Sequence, residues 1–256
     1  MIKGTARHFK PTLWPTVFSL SVIILALCLG SWQVYRMGWK EDQIRLRTER
    51  STAEPFSFIE HYPGEVADPK TDEFLNVWVE GEFQHDKELY LGARSLDRRL
   101  GLQVVTPFLM TDGREILINR GFVLSEFKDP STRKEAQISG QVRIEGLLRV
   151  GGWKGYEFVR PENDPIKNFW FYVDIEEMDR FAKLSNTVQS VYMDAGPTAN
   201  PGGYPIGGQT RIELVNNHMT YVITWYSMAL ILAVIYFIFH YRPVEKPEDE
   251  QILDKA

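Results

Sequence analysis

Two long stretches without a charged side chain, one near each end, constrain this sequence more than anything else in it. Between Lys10 and Arg36 there is no Asp, Glu, Lys or Arg, and the run Leu13 to Gln33 has about the 20 residues that a helix needs to cross a hydrocarbon core roughly 30 Å thick. A second charge-free stretch separates Glu213 from Arg242, with its apolar centre from Thr220 to Phe239 and His218 just before it. Aromatic rings sit at the ends of both: Trp14 and Trp32 bracket the first, and Tyr221, Trp225, Tyr236 and Tyr241 flank the second. Such rings prefer the headgroup level of a bilayer. The competing readings are a cleaved signal peptide for the first run and a buried core helix for the second. The first run is long for a signal peptide, and bulky Leu27 before Cys28 is a poor cleavage context.

The charge balance excludes some functions without choosing one. The net charge is −5, and no basic stripe is interleaved with aromatics, so no nucleic-acid partner is implied. Cys28 is the only cysteine, so there is no disulfide framework. The mixed-charge segment Arg36 to Arg50 reads as a solvated helix lying at the membrane surface. Basic residues lie on both sides of the first run, so charge counting leaves the orientation open; two spans place both termini on one side.

The segment between the runs is long enough to bury its own core and should form one domain. Alternation predicts strands at 76–83, 88–93 and 102–110, a tight turn at Asp112-Gly113 into a strand at 115–119, and further strands at 141–150, 169–174 and 188–194. A short helix over 175–184 follows Asp174, which can cap it. The Gly- and Pro-rich stretch 196–208 reads as a flexible connector. The fold class is therefore a membrane protein with two transmembrane α-helices flanking a β-rich α+β soluble domain. Its parts are a tail (1–12), a first span (13–35), the domain with its connector (36–213), a second span (214–241) and a second tail (242–256).

Chemistry-bearing motifs are scarce in the middle segment. His61 and His85 have no metal-type spacing, GxSxG, P-loop and dinucleotide fingerprints are absent, and Arg120 reads as a sheet-edge arginine. No catalytic constellation is found, so an enzyme is not expected. The informative residues sit at the membrane boundary. His218, Tyr221, Val222 and Trp225 share one helical face, and an asparagine of the Asn216-Asn217 pair can cap that helix. At the end of the first run, Trp32, Arg36 and Trp39 share another face. Antiparallel packing would bring imidazole, guanidinium and indole to one depth. Two explanations stand side by side: an aromatic belt with snorkelling bases, or a site for a flat, apolar, anionic ligand in which imidazole binds a metal and Arg36 or Lys40 pairs with carboxylates.

Three segments carry a family resemblance: LGSWQVYRMGWK at 29–40, GLQVVTPFLMTDGREILINRGFV at 101–123 and NNHMTYVITWY at 216–226. The chain resembles the surfeit locus protein 1 family of cytochrome c oxidase assembly factors. The resemblance implies a protein that assists insertion of haem a into the catalytic subunit of a haem–copper oxidase, with haem a as a transient cofactor. It also implies that His218 is an axial ligand of the haem iron. Tyr221, Trp225, Trp32 and Arg36 are the further candidate residues of the pocket. The expected partners are the oxidase catalytic subunit, membrane lipid and, further, the enzyme of haem a synthesis. The alternative is a structural scaffold for the oxidase subunit that holds no haem. No Arg- and Ser-rich transit sequence precedes the first run, which favours a bacterial inner membrane with a periplasmic domain over a mitochondrial inner membrane.

Overall fold

The computed structural model describes residues 7–212 and 214–243. Its elements in chain order are β1 (Arg7–Phe9), α1 (Leu13–Thr52), β2 (Phe56–Ser57), α2 (Phe58–His61), β3 (Asn76–Phe83), β4 (Leu89–Leu96), β5 (Arg99–Met110), β6 (Glu115–Leu124), β7 (Val142–Arg149), α3 (Ile175–Ala182), β8 (Tyr192–Ala195), α4 (His218–His240) and β9 (Tyr241–Pro243). They form two compact units, one from residues up to 45 together with those from 214 on, the other from 46–213. Lys3, Glu213 and the tail from 244 onward lie outside the described residues.

In the first unit, α1 and α4 each have the length and apolarity of a membrane crossing. They run antiparallel, because Thr12 meets His240 at one end while Gln33 meets His218 at the other. Their seam is made of small residues. Ser19, Ala26 and Gly30 are the buried positions of α1 between its termini, and their spacings of seven and four hold them on one stripe. Val222 and Ala229 answer from α4, again seven apart. A lipid-embedded pair gains nothing from hydrophobic burial, so close backbone approach and interhelical hydrogen bonds must supply the cohesion. Gly30 shows the approach: a Cβ there would stand 2.9 Å from the Tyr226 ring. Tyr226 then reaches Ser31 at 3.1 Å, and Tyr236 reaches Thr16 at 3.0 Å. At the same end β1 and β9 pair antiparallel, Phe9 opposite Tyr241.

Helix α1 continues without interruption past the apolar run to Thr52, so the basic segment 36–50 belongs to the spanning helix itself. Its 40 residues extend about 60 Å, twice the hydrocarbon thickness. A separate helix lying on the surface would require a break near residue 36, and α1 has none.

In the second unit five strands close into a small barrel. β3 pairs with β7, β7 with β8, β8 lies parallel to β6, β6 pairs with β5, and the end of β5 returns to β3 with Gly81 opposite Met110. β4 pairs with the other half of β5, and β2 lies beside the start of β3. The period of two fills the interior: Val77 and Val79 of β3 join Phe108, Ile116, Ile118, Leu148 and Met193 in one core. The outward set, Leu89, Leu91, Val105 and Leu117, forms a second core with Trp170 and with Ile175 and Met178 of α3. Because β6 is covered on both faces, it is buried from Glu115 to Val123. Asp174 caps α3 as expected, accepting from the Glu177 amide at 3.0 Å.

Several expectations need correction. The segment 169–174 is not a strand; Trp170 alone bridges to Leu91, exchanging backbone hydrogen bonds with Tyr90 and Gly92 while its indole fills the second core. The strand expected over 188–194 is confined to β8, since Val188 and Val191 are spent on plugging the barrel core. The stretch 196–208 is a fastened strap rather than a free connector. Phe122 and Ile206 exchange backbone hydrogen bonds at 2.9 and 2.8 Å, and the Gly208 amide donates to the Ala195 carbonyl at 2.9 Å. Gly121, at φ +114°, makes this possible, for a Cβ would lie 1.9 Å from the Ile206 carbonyl oxygen.

Candidate functional site

The membrane unit carries the first group of predicted residues. His218 opens α4, its amide donating to Asn216 Oδ1 at 3.4 Å, while Asn217, the cap residue by position, makes no side-chain capping bond. The imidazole Nδ1 lies 2.6 Å from Gln33 Oε1. An amide oxygen can only accept, so Nδ1 carries a proton, and in the neutral imidazole Nε2 then holds the lone pair. That pair has no partner among the described residues. Three residues further along α1, the Arg36 guanidinium stacks over the Trp39 ring at 4.2 Å. No carboxylate pairs with Arg36 among the described residues.

The remaining predicted residues are not gathered around His218. Trp32 and Tyr221 are about half exposed, at 52% and 53%, and no ring contact joins either to the imidazole. Trp225, one turn deeper, lines an apolar groove of about 320 Å³ with Val22, Leu25, Ala26, Met228 and Ala229. The structure thus adds Gln33 as the residue that addresses His218, a role not assigned from the sequence. The signal was present: Gln33 is the lone side-chain amide of the first apolar run, where a polar group needs a partner. His240 closes the opposite end of α4. It is fully buried, donating through Nδ1 to the Tyr236 carbonyl at 2.9 Å and meeting the Thr12 hydroxyl at 3.0 Å, so both ring nitrogens are engaged.

The barrel unit holds a buried charge cluster. Arg120 is not at a sheet edge; it is 1% exposed. A β-bulge explains its direction, because Val104 pairs with Gly121 and Val105 with Asn119, leaving Arg120 as the extra residue. Its Nη1 lies 3.3 Å from His85 Nδ1 and 3.7 Å from Glu88 Oε1, and its Nη2 donates to the Ala136 carbonyl and to Asn200 Oδ1. Arg133 grips the same carboxylate with both terminal nitrogens, Nη1 at 3.0 Å from Oε1 and Nη2 on Oε2. Burial pushes the Glu88 carboxyl upward, but the hydrogen bonds and charges of His85, Arg133 and Arg120 outweigh it and hold the group below its ordinary value. Burial also lowers the Arg120 guanidinium to about 10. His85 meets the Ile138 carbonyl through Nε2 at 3.0 Å and faces Arg120 and Glu88 through Nδ1, at 3.3 and 3.7 Å, so both ring nitrogens are engaged within the cluster. This cluster ties the turn before β4, β6, the 130–136 segment and the strap to one another, which is a structural role.

Comparison with known proteins follows the membrane motifs and the domain alike. Residues 20–230 match the SURF1 family. A SURF1-like protein of Monosiga brevicollis is 36% identical over 233 residues, which cover 86% of this chain and 85% of that protein. Surfeit locus protein 1 of Homo sapiens is 36% identical over 234 residues, covering 85% and 75%, and that of Gallus gallus is 37% identical over 237 residues, covering 85% and 72%. The match covers the whole barrel and part of each apolar helix, and the chain belongs to the SURF1 family.

Proposed function

We propose that this chain is an assembly factor for a haem–copper oxidase that receives haem a as cargo at His218 and passes it toward the catalytic subunit. The observation that carries the reading is the His218–Gln33 pair. A histidine that ligates a metal almost always donates its other ring N–H to an acceptor, which fixes the tautomer and the ring. Here Gln33 is that acceptor, at 2.6 Å, and Nε2 is the nitrogen available to iron. The other residues fit the group's chemistry. Arg36, over the Trp39 ring and paired with no carboxylate among the described residues, suits a propionate, and the apolar groove beside Trp225 suits hydrocarbon. When bound, the haem supplies an iron centre; the chain supplies the ligand, its orientation and an apolar wall. The reading assigns both termini to the cytoplasm, the barrel to the periplasm and the chain to a bacterial inner membrane. The oxidase catalytic subunit and the enzyme of haem a synthesis are its partners.

The scaffold reading, with no haem, is favoured by one observation: Tyr156, Phe158 and Ile166 of the barrel unit are 76%, 85% and 97% exposed, as a protein-docking surface would be. Absorption spectra of the full chain, purified in detergent from cells that make haem a, separate the two. His218→Ala should lose most bound haem and lower oxidase maturation. His240→Ala disturbs the opposite end of the helix pair, where Thr12 and Tyr236 hold the ring, and should leave the haem spectrum unchanged. A normal spectrum from well-expressed His218→Ala would refute the ligand assignment and favour the scaffold.

A further inference from the structure

We infer that the open cleft on the barrel unit between the β4 bulge and the segments 150–154 and 209–211 is a binding site for a planar aromatic carboxylate. The cleft holds about 540 Å³, within the range of small-molecule sites. Four cationic side chains line it, Arg94, Arg149, Lys154 and Arg211, against a single carboxylate, Asp194. That carboxylate is already spent. Its Oδ1 accepts from Asn119 at 2.9 Å, and its Oδ2 from Arg149 at 2.8 Å and from Thr210 at 2.7 Å. Glu73, behind the cleft wall, takes Arg149 and Lys154. Arg94 and Arg211 are left with no ion pair among the described residues.

Arg94 is aimed by the backbone. Between Leu91 and Arg94 the β4–β5 ladder shifts register by one residue, with Ala93 at φ +54°, and the bulge turns the side chain into the cleft. Three of its five N–H bonds are used, on Gln103 Oε1 at 3.3 Å, the Gly92 carbonyl at 3.0 Å and the Phe171 carbonyl at 2.9 Å. All three acceptors are neutral. The guanidinium is thus fixed in place with one N–H left on each terminal nitrogen and no carboxylate bonded to it among the described residues, an arrangement that a two-oxygen anionic head completes. Burial lowers its proton affinity, and the nearby charge of Asp194, already bonded to Arg149, offsets this only in part.

The walls specify the rest of the ligand. Trp153 and Tyr172 stand with ring centroids 6.0 Å apart at 54°, and the Trp153 indole is held by its Nε1 donating to the Tyr156 carbonyl at 3.0 Å. Together with Phe171 they offer π faces to a flat apolar body attached to the anionic head. None of these residues is used in the haem reading, so the site stands or falls independently of it.

The test is calorimetric titration of the full chain in lipid nanodiscs, with empty nanodiscs subtracted, using 2-naphthoate, its neutral analogue 2-naphthalenemethanol, and acetate. 2-Naphthoate should bind one per chain, the neutral analogue at least ~10-fold more weakly, and acetate should not compete at equal concentration. Arg94→Gln should weaken 2-naphthoate ~10- to 100-fold, Arg94→Lys less, and Arg211→Gln and Trp153→Ala each roughly 3- to 10-fold. Binding of the neutral analogue as tight as that of 2-naphthoate would overturn the proposal, as would no heat above empty nanodiscs. Should Arg94→Gln lose its fold by circular dichroism, Arg211→Gln and Trp153→Ala decide, and unchanged affinity in both would sink the site.

Discussion

Replacing Glu88 by Gln tests the central claim about the barrel unit's charge cluster, that a single carboxylate holds two buried guanidinium groups. The substitution keeps the side chain's size and removes only its charge. Arg133 and Arg120, whose side chains are 3% and 1% exposed, would then be buried cations with no carboxylate. Removing one partner of a buried ion pair costs about 3–5 kcal/mol, and each kcal/mol lowers Tm by about 2–4 °C in a domain of 150–250 residues. The barrel's thermal transition in the full chain, followed by near-ultraviolet circular dichroism in detergent, should therefore fall by roughly 6–20 °C. The pH dependence has a definite sign. The folded carboxyl lies below its ordinary value of 4.5, so its contribution is complete above that value and is lost as the pH falls through the depressed one. Glu88→Gln should flatten the decline of Tm on the acid side of pH 4.5, leaving the slopes due to Glu65, Glu73 and Glu115, which are also depressed. Adding Arg133→Met should cost less than the sum of the two single changes, since the pair acts as a unit. A Glu88→Gln transition within about 2 °C of the unaltered protein would refute the reasoning, because a solvated network predicts that small change.

Two further outcomes follow from single contacts. Gln33→Leu removes the acceptor that orients His218 while keeping the helix and its apolarity, so haem retained by the purified chain should fall about 10- to 100-fold in affinity with expression unchanged; titration of released haem measures it. Gly121→Ala puts a methyl 1.9 Å from the Ile206 carbonyl at φ +114°, so the strap should detach, and limited proteolysis should cut between 196 and 208 in the variant only.

The two spans, the Asp112-Gly113 turn, the strand at 76–83 and the Asp174 cap were legible in the sequence, because each is set by residues close together in the chain. A charge-free run of sufficient length has few other solutions than a membrane helix, and alternation in Asn76–Phe83 reports a strand with one wet face. The segment at 169–174 misled because its aromatic residues have the composition of a strand while their partners, Tyr90 and Gly92, lie far away in the chain. The strap at 196–208 misled for a similar reason: Gly and Pro fix local conformation, but whether a segment is fastened depends on acceptors such as the Phe122 carbonyl.

The candidate site divides in the same way. His218, Arg36 and Trp39 could be named from spacing, since residues three and four apart share a helical face regardless of what lies opposite. That Gln33 addresses His218, that His240 is enclosed, and that Arg120 points inward could not be. Each depends on a partner 35 to 228 positions distant or on a one-residue register shift across a ladder. Sequence periodicity fixed which residues can face a common direction; only the packing of antiparallel helices and the closing of the barrel determined what they face, because those contacts join residues that local geometry leaves independent.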